Sequence, residues 1–311
     1  MRSGPRHAGE GRLARPSALP GRARHPHSKG DPLGVRWDGV KPIIRVAQRA
    51  DLPAVRSGIG THFDLFTLWP GSVDFLEAEL AFGTIIVGEV GGAIAGFGGT
   101  LRRGRLTHLG DLFVLPAHQS SGLGRAILTR LLPPDAPKIT FASRDHRALA
   151  LYIRNGMRPA CPLFYLYGPP GRPAGRAGAA RRWEGGLPEA AALDARVSGG
   201  ARPECLAWYA GLPGVTARAG GSGYAFTREL GDTVVVGPAG GETPEDSVRA
   251  VLDAVAAHPH ARLIKIVVPG VHPLLPALVE AGWRIGDVDT IMVSDGAGVP
   301  LDRYVPHPDL G

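Results

Sequence analysis

The sequence predicts an α/β (α+β) protein built from two related halves, and three observations carry that prediction. Apolar runs of strand length alternate with amphipathic stretches of helical period. The strand–helix–strand–helix–strand run of residues 109–167 is echoed, imperfectly, after residue 223, which marks an internal duplication. Between the two lies "PPGRPAGRAGAARRWEGG" (169–186), rich in Pro, Gly, Ala and Arg and without periodicity, which reads as a linker.

Length and composition agree with two domains. The chain has 311 residues, 44% of them hydrophobic, enough for a sizeable core. No run approaches the ~18 uninterrupted apolar residues of a membrane span. The first thirty residues hold no apolar segment of the kind a secretory signal needs, so a cytoplasmic location without a membrane partner is expected. Cys161 and Cys205 are too few and too scattered for a disulfide scaffold or a zinc site, and no metal is expected.

The net charge of +7 is unevenly placed. Residues 1–41 carry nine Lys/Arg against three acids, nearly the whole excess, on a segment too poor in apolar residues to fold. This basic extension reads as a disordered, solvated tail or as coding sequence assigned too far upstream, rather than as a nucleic-acid arm.

The elements follow in order. Ile43 to Val46 form a first strand, and Asp51 is placed as a helix N-cap before Pro53. "SVDFLEAELAF" presents Val73, Phe75, Leu76 and Leu80 on one helix face. Strands at 84–90, 93–102 and 106–115 follow, the first two joined by a Gly91-Gly92 hairpin signal. Residues 125–132 are helical and stop at Pro133-Pro134. A strand at 138–144, a helix at 145–156 and a strand through "PLFYLYG" complete the first half. In the second, "GYAFTREL", "DTVVVGP" and "RLIKIVVP" read as strands, and "DTIMVSD" as a final one. "TPEDSVRAVLDAVAAH", with Thr243 as cap and Pro244 in its first turn, and "HPLLPALVEAGW" read as helices.

The most informative stretch is "HQSSGLGRAILTRLL" (118–132), two glycines one residue apart at the mouth of a helix, where glycine costs about 1 kcal/mol relative to alanine in the interior. A plain turn, a nucleotide-phosphate loop and a cradle for another phosphorylated ligand are the three readings. Unpaired amides and the dipole make a helix N-terminus an anion site, and glycine lets the anion approach. The nucleoside-triphosphate pattern fails because no Lys-Ser or Lys-Thr follows. The dinucleotide pattern fails because Ile127 stands where its third glycine belongs.

The stretch Gln119-Ser120-Ser121-Gly122-Leu123-Gly124 resembles instead the acyl-CoA loop of the GNAT superfamily of N-acetyltransferases, [Arg/Gln]-x-x-Gly-x-[Gly/Ala]. It lies between the strand "LFVLPAH" and an amphipathic helix, as in that family. "DHRALALYIRNGM" resembles the family's later helix, with Ala148, Leu151, Tyr152 and Gly156 in register; Asp145 replaces the usual Asn and Met157 the Phe. The resemblance covers residues 43–168 well and 186–296 in outline. It implies a mixed central sheet of the GNAT type flanked by helices, in two tandem GNAT-like domains. The expected organisation is an extension (1–41), a GNAT acetyltransferase domain (42–168), a flexible linker (169–185), a degenerate GNAT-like domain (186–296) and a C-terminal tail (297–311).

By the same resemblance, acetyl-CoA is the co-substrate. Its diphosphate would lie on the amides around Ser121 to Arg125, with Gln119 and Ser120 opening the cofactor-binding loop, and its pantetheine arm against the main chain of Leu112, Phe113 and Val114 as an added strand. Arg125 reads either as a phosphate contact or as a solvated helix arginine. The acceptor amine attacks directly, so one proton leaves the ammonium and one reaches the departing thiolate. Tyr152 is expected as the thiolate's proton donor, against a half-buried helix aromatic as the plainer reading. Asp111 is the first candidate base and Glu89 the second, each otherwise a solvent-facing strand residue; His108 and His62 are weaker candidates.

The second half lacks the signature. Its turn "PAGGETPED" (238–246) keeps Gly240-Gly241 but carries Glu242, Glu245 and Asp246 at the helix start, which repel a pyrophosphate. Leu278 stands four residues before Gly282, where Tyr152 precedes Gly156. This half reads as a degenerate copy that shapes the acceptor pocket, or as an independent non-catalytic domain. An N-acetyltransferase acting on a small-molecule or peptide amine is the leading reading; a non-catalytic acyl-CoA-binding regulatory module is the alternative. The acceptor's identity and the oligomeric state, a homodimer included, are not legible.

Overall fold

A computed structural model describes residues 41–171 and 183–311; the expected basic extension and most of the linker lie outside them. The first half contains β1 (Ile43–Val46), α1 (Leu52–Val55), α2 (Phe75–Phe82), β2 (Gly83–Val90), β3 (Ala93–Arg103) and β4 (Leu106–Val114). It continues through α3 (Leu123–Leu131), β5 (Lys138–Ala142), α4 (His146–Arg154) and β6 (Arg158–Gly168). The second contains α5 (Leu187–Val197), α6 (Pro203–Ala210), β7 (Val215–Gly220), β8 (Gly223–Leu230) and β9 (Thr233–Gly241). Then come α7 (Pro244–Ala256), β10 (Leu263–Pro269), α8 (Leu274–Glu280), β11 (Arg284–Val293) and β12 (Tyr304–Val305).

Of the two expected caps, Thr243 holds its helix start, whereas Asp51 caps no amide of α1 and instead accepts from the Gln48 amide at 2.7 Å. Asp74 and Asp145 cap their helices as well. Asp74 accepts from the Leu76 amide at 3.1 Å, Asp145 from Arg147 at 2.8 Å and Thr243 from Asp246 at 3.1 Å. Val73, expected on the face of α2, precedes the helix and is exposed, because Asp74 sets the start one residue later. α5, α6 and β7 were not anticipated. α5 nevertheless carries a start signal, Pro188 in its first turn and Glu189 reaching back to the Gly186 amide at 3.0 Å.

The twelve strands of the described residues belong to one mixed sheet in the order β1-β2-β3-β4-β5-β11-β6-β10-β9-β8-β7, with β12 on β9. The halves exchange their last strands. β11 pairs antiparallel with β5, β6 pairs antiparallel with β10, and β6 and β11 pair with each other at the centre. Helices cover both faces. Alternation along β2 shows it, Ile85 and Val87 packing with α1, α2, α5 and α6 while Ile86 packs under α3 and α4. The first of these cores is shared, Phe75 and Leu76 from one half lying in the same cluster as Leu193, Leu206 and Tyr209 from the other. Residues 297–311, expected as a tail, are built in: Tyr304, Val305, His307 and Leu310 are buried.

Candidate active site

Strands β4 and β5 part company inside the sheet. They pair in parallel only at Thr107, His108 and Leu109, opposite Lys138, Ile139 and Thr140. On its other side β4 stays paired with β3 to Val114, but a register shift makes Gly110 an extra residue between Leu109, opposite Thr100, and Asp111, opposite Gly99. Such a bulge bends the strand it interrupts. Asp111, Leu112, Phe113 and Val114 therefore turn a main-chain edge with no β5 partner toward the cleft.

The loop after β4 closes the end of this cleft. Ser120 and Gly122 both take left-handed conformations, φ 60° and 96°, the first at a cost of order 1 kcal/mol for a residue with a Cβ. Ser121 Oγ donates to the His118 carbonyl at 2.6 Å and accepts from the Leu123 amide at 3.3 Å. Gln119 Nε2 donates to the Val114 carbonyl at 3.0 Å, tying the loop to the strand end. A Cβ on Gly124 would meet only Val114 Cγ2, at 3.6 Å, so the fold itself does not require glycine there. Space is left over the first turn of α3, whose amides have no intrahelical acceptor and whose dipole favours an anion. These features fit a diphosphate with an extended arm.

Tyr152 lies on α4, 6% exposed, in the core beneath α3. Burial, and then the negative charge of Asp111, hold its phenol protonated well above the ordinary tyrosine range. Asp111 is pushed up to about 7, first by burial and then by Asp309 and Asp74. Asp145 is held down to about 2 by its bonds from Arg147, which neutralises the carboxylate that replaces the family's Asn. Glu89 is elsewhere. It accepts from Arg45, which also holds Asp51, across the β1–β2 pair, and it does not line the cleft. His108 is buried against Phe141, its protonated form disfavoured first by burial and then by Arg103, and His62 is exposed beside Phe63.

A cavity of about 640 Å³ adjoins the free edge of β4. Phe63, Phe113 and Tyr165 from the first half line it together with Asp287, Asp289 and Asp309 from the second. Asp289 accepts from Tyr165 Oη at 2.9 Å and Asp309 from Trp69 Nε1 at 2.8 Å. Burial pushes Asp309 up to about 6. Asp287, Asp289 and Asp309 were not singled out in the sequence, because nothing local distinguishes them; β11 and the last segment bring them here.

A profile of the acetyltransferase (GNAT) domain matches residues 81–159, from the end of α2 to the start of β6. Over that stretch the chain is similar to the GNAT acetyltransferase domain. Solved structures share the fold at low identity. A protein from Pyrococcus horikoshii described as a candidate acetyltransferase superposes at a TM-score of 0.68 with 18% identity, over 89% of this chain and all of that one. A GCN5-related N-acetyltransferase from Anabaena variabilis gives 0.56 and 14%, over 81% and 72%. A tandem GNAT protein from the clavulanic acid biosynthesis pathway gives 0.50 and 14%, over 82% and 99%. No curated protein matches in sequence.

The second half has a comparable parting of strands but fills it. β9 pairs with β10 only from Thr233 to Val236, and beyond that point β12 pairs with Ala239 and Gly240. A Cβ on Gly241 would stand 2.4 Å from the Ser247 amide, so this strand runs directly onto the first turn of α7. Thr243 caps an amide there, and Glu245 and Asp246 supply negative charge of their own.

Proposed function

We propose that the first half of this protein transfers an acetyl group from acetyl-CoA to a primary amine by direct attack. The observation that carries the reading is the free main-chain edge of residues 111–114 running into the glycine-lined N-terminus of α3. In this reading the amides of Gly122, Gly124 and Arg125 hold the diphosphate, while Ser121 occupies the Leu123 amide, Gln119 and Ser120 shape the loop, and Leu112 to Val114 pair with the pantetheine arm. The amine nitrogen forms a bond to the thioester carbonyl carbon while the carbon–sulfur bond breaks. Asp111 takes the proton lost by the amine, and Tyr152 supplies one to the leaving sulfur.

The acceptor enters through the cavity between the halves. Its walls favour a cation with an apolar body, since Asp287, Asp289 and Asp309 stand beside Phe63, Phe113 and Tyr165. Thiol release from acetyl-CoA across a panel of amines tests the reading. Release that depends on a cationic amine and falls in Tyr152→Phe supports it. Tight CoA binding with no release from any amine would make the protein a binding module instead.

A further inference from the structure

Glu79 interrupts the apolar face of α2, three residues after Leu76 and four after Phe75, and it is fully buried. Two glycines make room for its carboxyl group. A Cβ on Gly99 would lie 1.7 Å from Oε2, and one on Gly110 would lie 2.6 Å from Oε1. Gly110 is the extra residue of the β4 bulge, and Gly99 is the cross-strand partner of Asp111. Paired residues project from the same face of a sheet, so the Asp111 side chain leaves on the side where Glu79 sits. Both carboxyl groups therefore stand on the same side of the β3–β4 pair, and each bears on the other's protonation. Among the described residues no N–H or O–H donor reaches either Glu79 oxygen. Two facing carboxyl groups can bond only through a proton that one of them carries.

We propose that Glu79 is a positioning residue for the base, a carboxylic acid that donates its proton in a hydrogen bond to Asp111 and so orients and preserves the Asp111 carboxylate. This rests on the reading of Asp111 as base. The charges around the pair favour that arrangement. Burial, and then Asp111, Asp309 from the last segment and Asp74 at the start of α2, all drive Glu79 toward its neutral form. The nearby cations are engaged elsewhere, Arg56 bonding Asp74 at 2.7 Å and Arg228 stacking on Trp69. For Asp111 the bond from Glu79 acts in the opposite sense to burial and to Asp309, favouring the ionised form that accepts a proton.

The test combines the pH dependence of kcat/KM for an accepted amine with infrared difference spectra of the substrate-free protein. Glu79→Gln keeps an N–H donor and no charge, and its acidic limb should coincide with that of the wild type. Glu79→Leu removes the donor, so the limb should move to higher pH, with about a tenfold loss of rate below it, the size of one charge-assisted hydrogen bond. The wild-type spectrum at neutral pH should contain a protonated-carboxyl band that disappears in Glu79→Gln. A limb that moves to lower pH in Glu79→Gln, as removal of a negative charge would cause, overturns the proposal, and so does absence of the band. An acidic limb that survives Asp111→Asn sinks the base assignment and the positioning role with it; the band then reports whether the buried acid is nonetheless there.

Discussion

Gly99→Ala is a sharp probe of how the site is assembled. Its backbone is an ordinary strand, so alanine is conformationally acceptable and alone would stabilise by about 0.5 kcal/mol through the unfolded chain. The added Cβ, however, would sit 1.7 Å from Glu79 Oε2 and 2.1 Å from its carboxyl carbon, inside a core with no exposed route for Glu79 to leave. Overpacking of this kind costs about 1–3 kcal/mol, so the net loss should be about 1–2 kcal/mol. In a Glu79→Ala background the obstruction is gone, and the same substitution should become neutral or slightly stabilising. The coupling between the two positions is then about 2 kcal/mol. Urea unfolding followed by tryptophan fluorescence measures all four corners of the cycle, provided the m-value is unchanged. If the two substitutions add to within about 0.5 kcal/mol, Gly99 is not the seat of Glu79, and the packing argument for the Glu79–Asp111 pair is wrong.

Other expectations concern the chemistry more directly. Tyr152→Phe should lower kcat by about 10²–10⁴-fold, the usual range for a general acid, with CoA affinity nearly unchanged, as single-turnover kinetics and calorimetry would show. Because Asp111 must be ionised to accept a proton and is held up to about 7, kcat/KM should rise as pH passes upward through about 7. Stability should move the other way. Asp111 and Asp309 have folded values raised above those of the unfolded chain, so the folded state binds their protons more tightly, and thermal stability should decline from about pH 4 to pH 7. Gly124→Ala should stabilise the fold by up to about 1 kcal/mol, since the Cβ meets only Val114 Cγ2, while weakening CoA binding measured by calorimetry. Asp289→Asn should raise KM for a cationic amine and leave that for acetyl-CoA alone, as steady-state kinetics with each substrate varied would show.

Much of this site is written locally. The Gln119–Gly124 rhythm, the caps at Asp74, Asp145 and Thr243, and the period of α3 and α4 act over a few residues, so backbone sterics and hydrogen bonding fix them wherever the segment lies. Glu79 was not singled out in the sequence, because a carboxylate at helical spacing from Phe75 and Leu76 takes its meaning only from Gly99 and Gly110 beside it. Glu89 shows the converse. A carboxylate in an apolar strand resembles a base in sequence, yet Arg45, which also holds Asp51, claims it once β1 pairs with β2.

By itself the sequence determined the two-half α/β pattern, the glycine-lined helix mouth and the absence of that motif from the second half. Tertiary structure alone decided the exchange of β6 and β11, the filling of the second cleft by β12, and the meeting of Asp111 with Asp309. Those contacts join residues from about sixty to about two hundred positions apart. No short-range propensity encodes them; they arise because apolar faces and unpaired strand edges from both halves find burial only in one shared sheet.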